Sequence, residues 1–128
     1  MDEKQRNENG MKMRRKVLGD AYVDRTLNNV TPLNEEFQDM ITRHAWGEIW
    51  TRPGLPPHHR SLITVAMLIA LKQTDELRLH LRGALNNGVT REEIKEVMMQ
   101  SAIYCGVPAA NAAFHVAREV FADIDSGK

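Results

Sequence analysis

Apolar residues recur at three- and four-residue steps along almost the whole of this 128-residue chain. That spacing gathers them on one side of a helix, whereas no segment alternates apolar and polar residues as a half-buried strand does. The expected fold class is therefore all-α, with about six to seven helices. Glycine and proline set the divisions. A basic helix over Glu8–Leu18 ends at Gly19, after which Asp20 opens a short second helix docked by Tyr22, Val23 and Leu27. A longer helix is expected from about Leu33 to Trp50, with Phe37, Met40, Ile41, His44, Ala45, Glu48 and Ile49 on its packing side. The run Arg52-Pro-Gly-Leu-Pro-Pro57 breaks it, because proline lacks an amide donor and disfavours helical angles in the residue before it.

Four further helices follow from the same logic. Pro56 or Pro57 suits the first turn of a helix running to Leu71, whose middle is apolar nearly all round. Thr74 or Asp75 opens the next, which Gly88 closes. Thr90-Arg-Glu-Glu93 is a capping box for a helix with Ile94, Val97, Met98, Ser101, Ala102 and Cys105 inward. After Gly106 and Pro108, the residues Ala110, Ala113, Phe114, Ala117, Val120 and Phe121 trace the last buried face. With 42% hydrophobic residues and no linker-like tract, residues 1–128 are expected to form a single domain.

Charge and cysteine content narrow the function. Seventeen basic and seventeen acidic residues give a formal net charge of +0, so the broad positive field behind nonspecific nucleic-acid binding is missing. The longest apolar run, Leu62 to Leu71, falls short of the about 20 residues a bilayer span needs. A lone cysteine, Cys105, cannot form an intrachain disulfide, and the start Met-Asp-Glu-Lys-Gln-Arg has no signal-peptide character. A cytoplasmic protein without nucleic-acid or membrane partners is the expectation.

Against this background one helix stands out chemically. Leu77, His80, Leu81, Ala84 and Leu85 share a face, with Glu76 one turn before His80, so a titratable pair borders the packing surface. His44 and Glu48 form a second such pair on the preceding long helix. His80 can be a core residue satisfied by a backbone carbonyl, and Glu48 can form a structural hydrogen-bonded pair with His44 or project into the same pocket as His80. His58, His59 and Arg60 crowd the first turn of a helix, where the macrodipole disfavours cations unless an anion or a carboxylate meets them.

Several ordered motifs carry a resemblance over nearly the whole chain: Trp46-Gly-Glu-Ile-Trp-Thr-Arg-Pro-Gly-Leu55, Arg60-Ser-Leu, Glu76-Leu, His80-Leu-Arg-Gly-Ala84-Leu-Asn-Asn-Gly88 and Tyr104-Cys-Gly-Val-Pro108. The sequence closely resembles the γ-carboxymuconolactone decarboxylase family. That resemblance implies the all-α fold of the alkylhydroperoxidase D-like superfamily and a homohexamer built as a trimer of dimers. It also implies a place in protocatechuate catabolism through the β-ketoadipate pathway, with a lactone dicarboxylate as substrate. Thiol peroxidase partners in the same superfamily carry Cys-x-x-Cys-x-x-x-His, but here Gln73 and Glu76 occupy the cysteine positions and only the histidine, His80, remains. Proton handling is then a better reading than electron handling.

The implied reaction needs no cofactor, because the departing carboxylate is conjugated with the lactone carbonyl and the substrate is its own electron sink. His80, whose ordinary pKa near ~6.5 makes both protonation states available at neutral pH, is the favoured proton donor. Glu48 or Glu76 is placed to orient it. Arg52 and Arg60, with His44 and Trp46, are the candidate substrate-binding residues, the arginines offering forked donors to carboxylates. Arg52 and Arg60 can instead serve in ion pairs, and Trp46, Trp50 and Tyr104 in a core or an interface. His58 and His59 are expected to face solvent, Cys105 to act as a small apolar residue, and His115 to lie on the wetter side of the last helix. No histidine spacing matches a zinc motif. The competing functions are a thiol-dependent peroxide-detoxifying protein and a noncatalytic helical oligomer that binds a small anion.

Overall fold

The computed structural model describes residues 1–128, all of them in helices and the turns that join them, with no strand. Helices α1 (Glu3–Leu18), α2 (Asp20–Asn28) and α3 (Glu35–Met40) lead into a π-helical segment, Ile41–Ile49. Helices α4 (Pro57–Ala70), α5 (Thr74–Asn86), α6 (Arg91–Tyr104) and α7 (Val107–Asp125) follow. They gather into two compact units, Met1–Pro57 and His58–Lys128.

In the first unit α1 packs along the π-helical segment. Helix α1 begins five residues earlier than its apolar pattern implies, because Asp2 caps it by accepting from the Gln5 amide at 2.8 Å. The approach of the two helices is set by glycines. A methyl group at Gly10 collides with the Thr42 carbonyl, and one at Gly47 collides with the Arg6 carbonyl, so backbone meets backbone on both sides. Gly19, at φ 90°, turns the chain into α2, where Val23 is fully buried while Leu27 remains exposed.

The long α-helix expected over Leu33–Trp50 is replaced by a short α-helix and a π-helical continuation. Its hydrogen bonds step to i−5, as from the Trp50 amide to the Ala45 carbonyl at 3.0 Å. A wider turn rotates each later side chain away from the position a 3.6-residue period gives it. Thr42, Trp46, Gly47 and Trp50 are the buried residues, whereas Phe37, Met40, His44, Glu48 and Ile49 are exposed. The packing side read from the sequence is thus displaced.

In the second unit the core joins Val65 and Ile69 of α4 to Leu77, Leu81 and Ala84 of α5, Ile94 and Met98 of α6, and Ala113, Ala117 and Val120 of α7. Here the expected stripes hold. Helix α4 starts at Pro57, α5 ends before Gly88 at φ 84°, and Thr90 and Glu93 form the capping box that starts α6. Phe114, expected on the buried face of α7, is instead partly open to solvent. No helix is long and apolar enough to cross a membrane.

Candidate functional site

The histidine of α5 has the most perturbed environment in the chain. Leu77, Leu81 and Ala84 bury the same face of α5, so His80 is drawn partly under the surface with them. Burial alone pushes its pKa down from 6.5 to about 4. The expectation that both protonation states are available at neutral pH is therefore corrected: the ring is neutral at pH 7. No carboxylate contributes to the shift. Glu76, one turn earlier on the same helix, is exposed.

Glu48 has a different setting, in the first unit. It is half exposed, Arg6 Nη1 donates to its Oε2 at 2.9 Å, and His44 Nδ1 lies 3.1 Å from the same oxygen. The hydrogen bond from His44 and the charge of Arg6 hold its carboxyl below the usual range. Arg43 extends the array, bonding Glu3 at 2.8 Å and Asp39 at 3.0 Å. The close glycine contact explains why α1 can supply Arg6 and Glu3 to this helix. Arg6 was not legible as a partner, since 42 residues separate it from Glu48.

Trp46 and Trp50 stack with ring centroids 5.0 Å apart and planes inclined by 25°, both buried. The i→i+5 geometry brings residues four apart into register for this stack. Arg52 is exposed beyond the π-helical segment.

At the start of α4, Arg60 is half-buried and His59 is exposed, as expected for the latter. His58 does not face solvent freely. Its Nε2 lies 3.0 Å from Glu93 Oε2, and this corrects the sequence reading. Glu93 also accepts the Thr90 amide at 2.9 Å. That backbone bond first, then His58, lowers its carboxyl pKa. The cation-rich helix start is thus met in part by an acid from α6, which resolves some of the conflict with the macrodipole. The capping box marked Glu93 in the sequence but gave no sign of its second partner.

Cys105 is half-buried at the end of α6, Tyr104 beside it is exposed, and His115 is exposed. No three His, Cys, Asp or Glu side chains converge as metal ligands would.

The sequence profile described as "Carboxymuconolactone decarboxylase family" matches residues 35–119. The chain belongs to that family. Its relatives include a 4-carboxymuconolactone decarboxylase of Acinetobacter baylyi, 52% identical over 97% of this chain and 92% of that protein. A nitrosuccinic acid decarboxylase of Metarhizium robertsii is 45% identical over 93% of this chain and 84% of that protein. A 4-carboxymuconolactone decarboxylase sequence from Pseudomonas putida is 62% identical over its full extent, which is 38% of this chain. Membership of the carboxymuconolactone decarboxylase family fits the all-α architecture seen here, and the match runs through both units, from α3 into α7.

Proposed function

We propose that this chain decarboxylates γ-carboxymuconolactone to the β-ketoadipate enol-lactone without a cofactor, in protocatechuate breakdown through the β-ketoadipate pathway. The observation that carries this reading is the match over 97% of the chain to a relative bearing that activity in its name. Breaking the bond to the departing carboxylate sends its electron pair through the ring double bond to the lactone carbonyl. Carbon dioxide leaves, and a proton added at the far ring carbon gives the product. The protein must hold two carboxylates, stabilise charge on the lactone oxygen and deliver one proton.

His80 is the proton donor in this reading. Its imidazole is neutral in the free protein, and a bound dianion supplies the negative charge that favours the imidazolium, so substrate loads the acid it needs. Arg60 and Arg52 bind the carboxylates. Glu48 is already engaged by Arg6 and His44, which favours a structural part for both members of that pair, with stacked Trp46 as their buried neighbour on the same segment. Glu76, exposed on α5, has the weakest support.

The name of the Metarhizium relative fits the same chemistry. Nitrosuccinic acid, like the lactone, has a departing carboxylate and a carboxymethyl arm on one carbon, with a nitro group in place of the lactone as electron sink. The redox alternative fits less well, since one cysteine cannot cycle as a dithiol.

Assembly into a hexamer is part of the proposal. In the second unit Ile63, Met67 and Leu71 of α4 and Met99, Ile103 and Tyr104 of α6 are exposed, the last by 83%. Of these, Ile63 and Tyr104 line a groove of about 280 Å³ together with Leu62, Ala66, Val97 and Cys105. Such a patch favours burial against other copies.

The test is carbon dioxide release from γ-carboxymuconolactone by chelator-treated protein, with nitrosuccinate assayed in parallel. His80→Ala is expected to lower kcat more than it raises KM, and Arg60→Ala or Arg52→Ala to raise KM. Absence of turnover on the lactone rejects the function, and turnover on nitrosuccinate alone reassigns the substrate.

A further inference from the structure

Arg60 sits between two tethers, one from the end of α5 and one from the first turn of α6. Two residues before it, His58 is paired with Glu93 at 3.0 Å. One residue after it, Ser61 is 1% exposed, and its Oγ accepts from Asn87 Nδ2 at 2.9 Å. Asn87 ends α5, the helix that bears His80. Glu93 lies in the first turn of α6.

The connection between α5 and α6 is itself stiff. The Asn87 amide donates to the Gly83 carbonyl at 3.1 Å and the Val89 amide to the Ala84 carbonyl at 3.0 Å, with Val89 buried. Gly88 supplies the positive φ that lets the chain reverse. The Thr90 amide donates to Glu93 Oε1 at 2.9 Å, and the Glu93 amide donates to Thr90 Oγ1 at 3.0 Å. Glu93 is thereby oriented by its own capping box before it meets His58.

We propose that Asn87 and Glu93 are positioning residues for Arg60, fixing the first turn of α4 against the helix that carries His80. The proposal rests on the reading of Arg60 as a ligand for a substrate carboxylate. A forked guanidinium–carboxylate contact depends on the direction of the guanidinium, so a small rotation of this turn weakens it. Loss of one tether lets the turn rotate while the buried residues Val65 and Ile69 keep the rest of α4 in place. The effect therefore falls on substrate binding and leaves the proton-transfer step nearly unchanged.

The experiment uses the full chain and γ-carboxymuconolactone, with Glu93→Gln and Asn87→Ala made in the natural sequence and in an Arg60→Ala background. Glutamine still serves a capping box, so Glu93→Gln removes the charge facing His58 and spares the start of α6. The expected result is a rise of about tenfold in KM with kcat changed by less than about twofold, and no further rise in KM in the Arg60→Ala background. Asn87→Asp, which can accept from the Ser61 hydroxyl, is expected to restore KM. Equal rises in both backgrounds, a fall in kcat without a change in KM, or unchanged kinetics in Glu93→Gln overturns the positioning role. Unchanged KM in Arg60→Ala alone removes Arg60 from binding, and the proposal falls with it. Should Asn87→Ala not fold, Glu93→Gln decides the matter alone.

Discussion

His80 makes the protein's stability depend on pH in a way that can be isolated by substitution. Its ring protonates at about 4 when folded, against 6.5 for an exposed imidazole, because the charged form is poorly hydrated where Leu77 and Leu81 draw the helix face inward. Above 6.5 the ring is neutral in both states and contributes no pH dependence. Between 6.5 and 4 the unfolded chain takes up the proton first, so stability falls as the solution is acidified, and the loss is complete below about 4. At about 1.4 kcal/mol for each tenfold difference in proton affinity, the full loss is of the order of 3 kcal/mol. That is a large share of the about 5–15 kcal/mol typical of a folded domain. His80→Gln removes the titration while keeping a polar side chain of similar reach. Urea unfolding of both proteins at pH 7, 6, 5 and 4, at one protein concentration, cancels the other titrating groups in the difference. The variant is expected to gain on the natural protein progressively below pH 6.5, by about 3 kcal/mol at the end of the series. Parallel curves would falsify the claim that burial holds this imidazole neutral.

The same ring gives a second expectation: its NMR titration midpoint rises when a nonreactive dicarboxylate such as succinate is bound, and an unmoved midpoint removes the substrate-loaded acid from the mechanism. Gly10→Ala is expected to destabilise the first unit by about 1–3 kcal/mol or more, since the added methyl meets the Thr42 carbonyl, which is backbone and cannot turn aside; an unchanged thermal midpoint by circular dichroism refutes the close approach. Thr90→Ala removes the acceptor of the Glu93 amide at the start of α6 and is expected to cost about 1 kcal/mol, read as a lower urea midpoint, with no change meaning that the cap is redundant.

The difference between what the chain announces and what it conceals follows from the range of the forces involved. Helices α4 to α7 were legible because local chemistry fixes them: Pro57 starts one, Gly88 ends another, Thr90 and Glu93 cap a third, and apolar residues at helical spacing choose the inward face. The π-helical segment was not legible, because its extra residue per turn goes with a contact made by Gly10, more than thirty positions earlier, and a 3.6-residue count then assigns His44 and Glu48 to the wrong side. His80 was visible as a polar residue on an apolar stripe, but the depth that sets its protonation state belongs to packing. The partner of His58 is hidden in the sequence for a related reason. The acid that meets this first-turn histidine, Glu93, also has a local task as the capping residue of α6. A glutamate has two oxygens and several lone pairs, so a capping role leaves capacity for a second partner. The physical rule suggested by this pair is that a basic side chain placed against a helix dipole points to an acceptor elsewhere in the fold, and a side chain already oriented by its own backbone loses little further entropy in providing it.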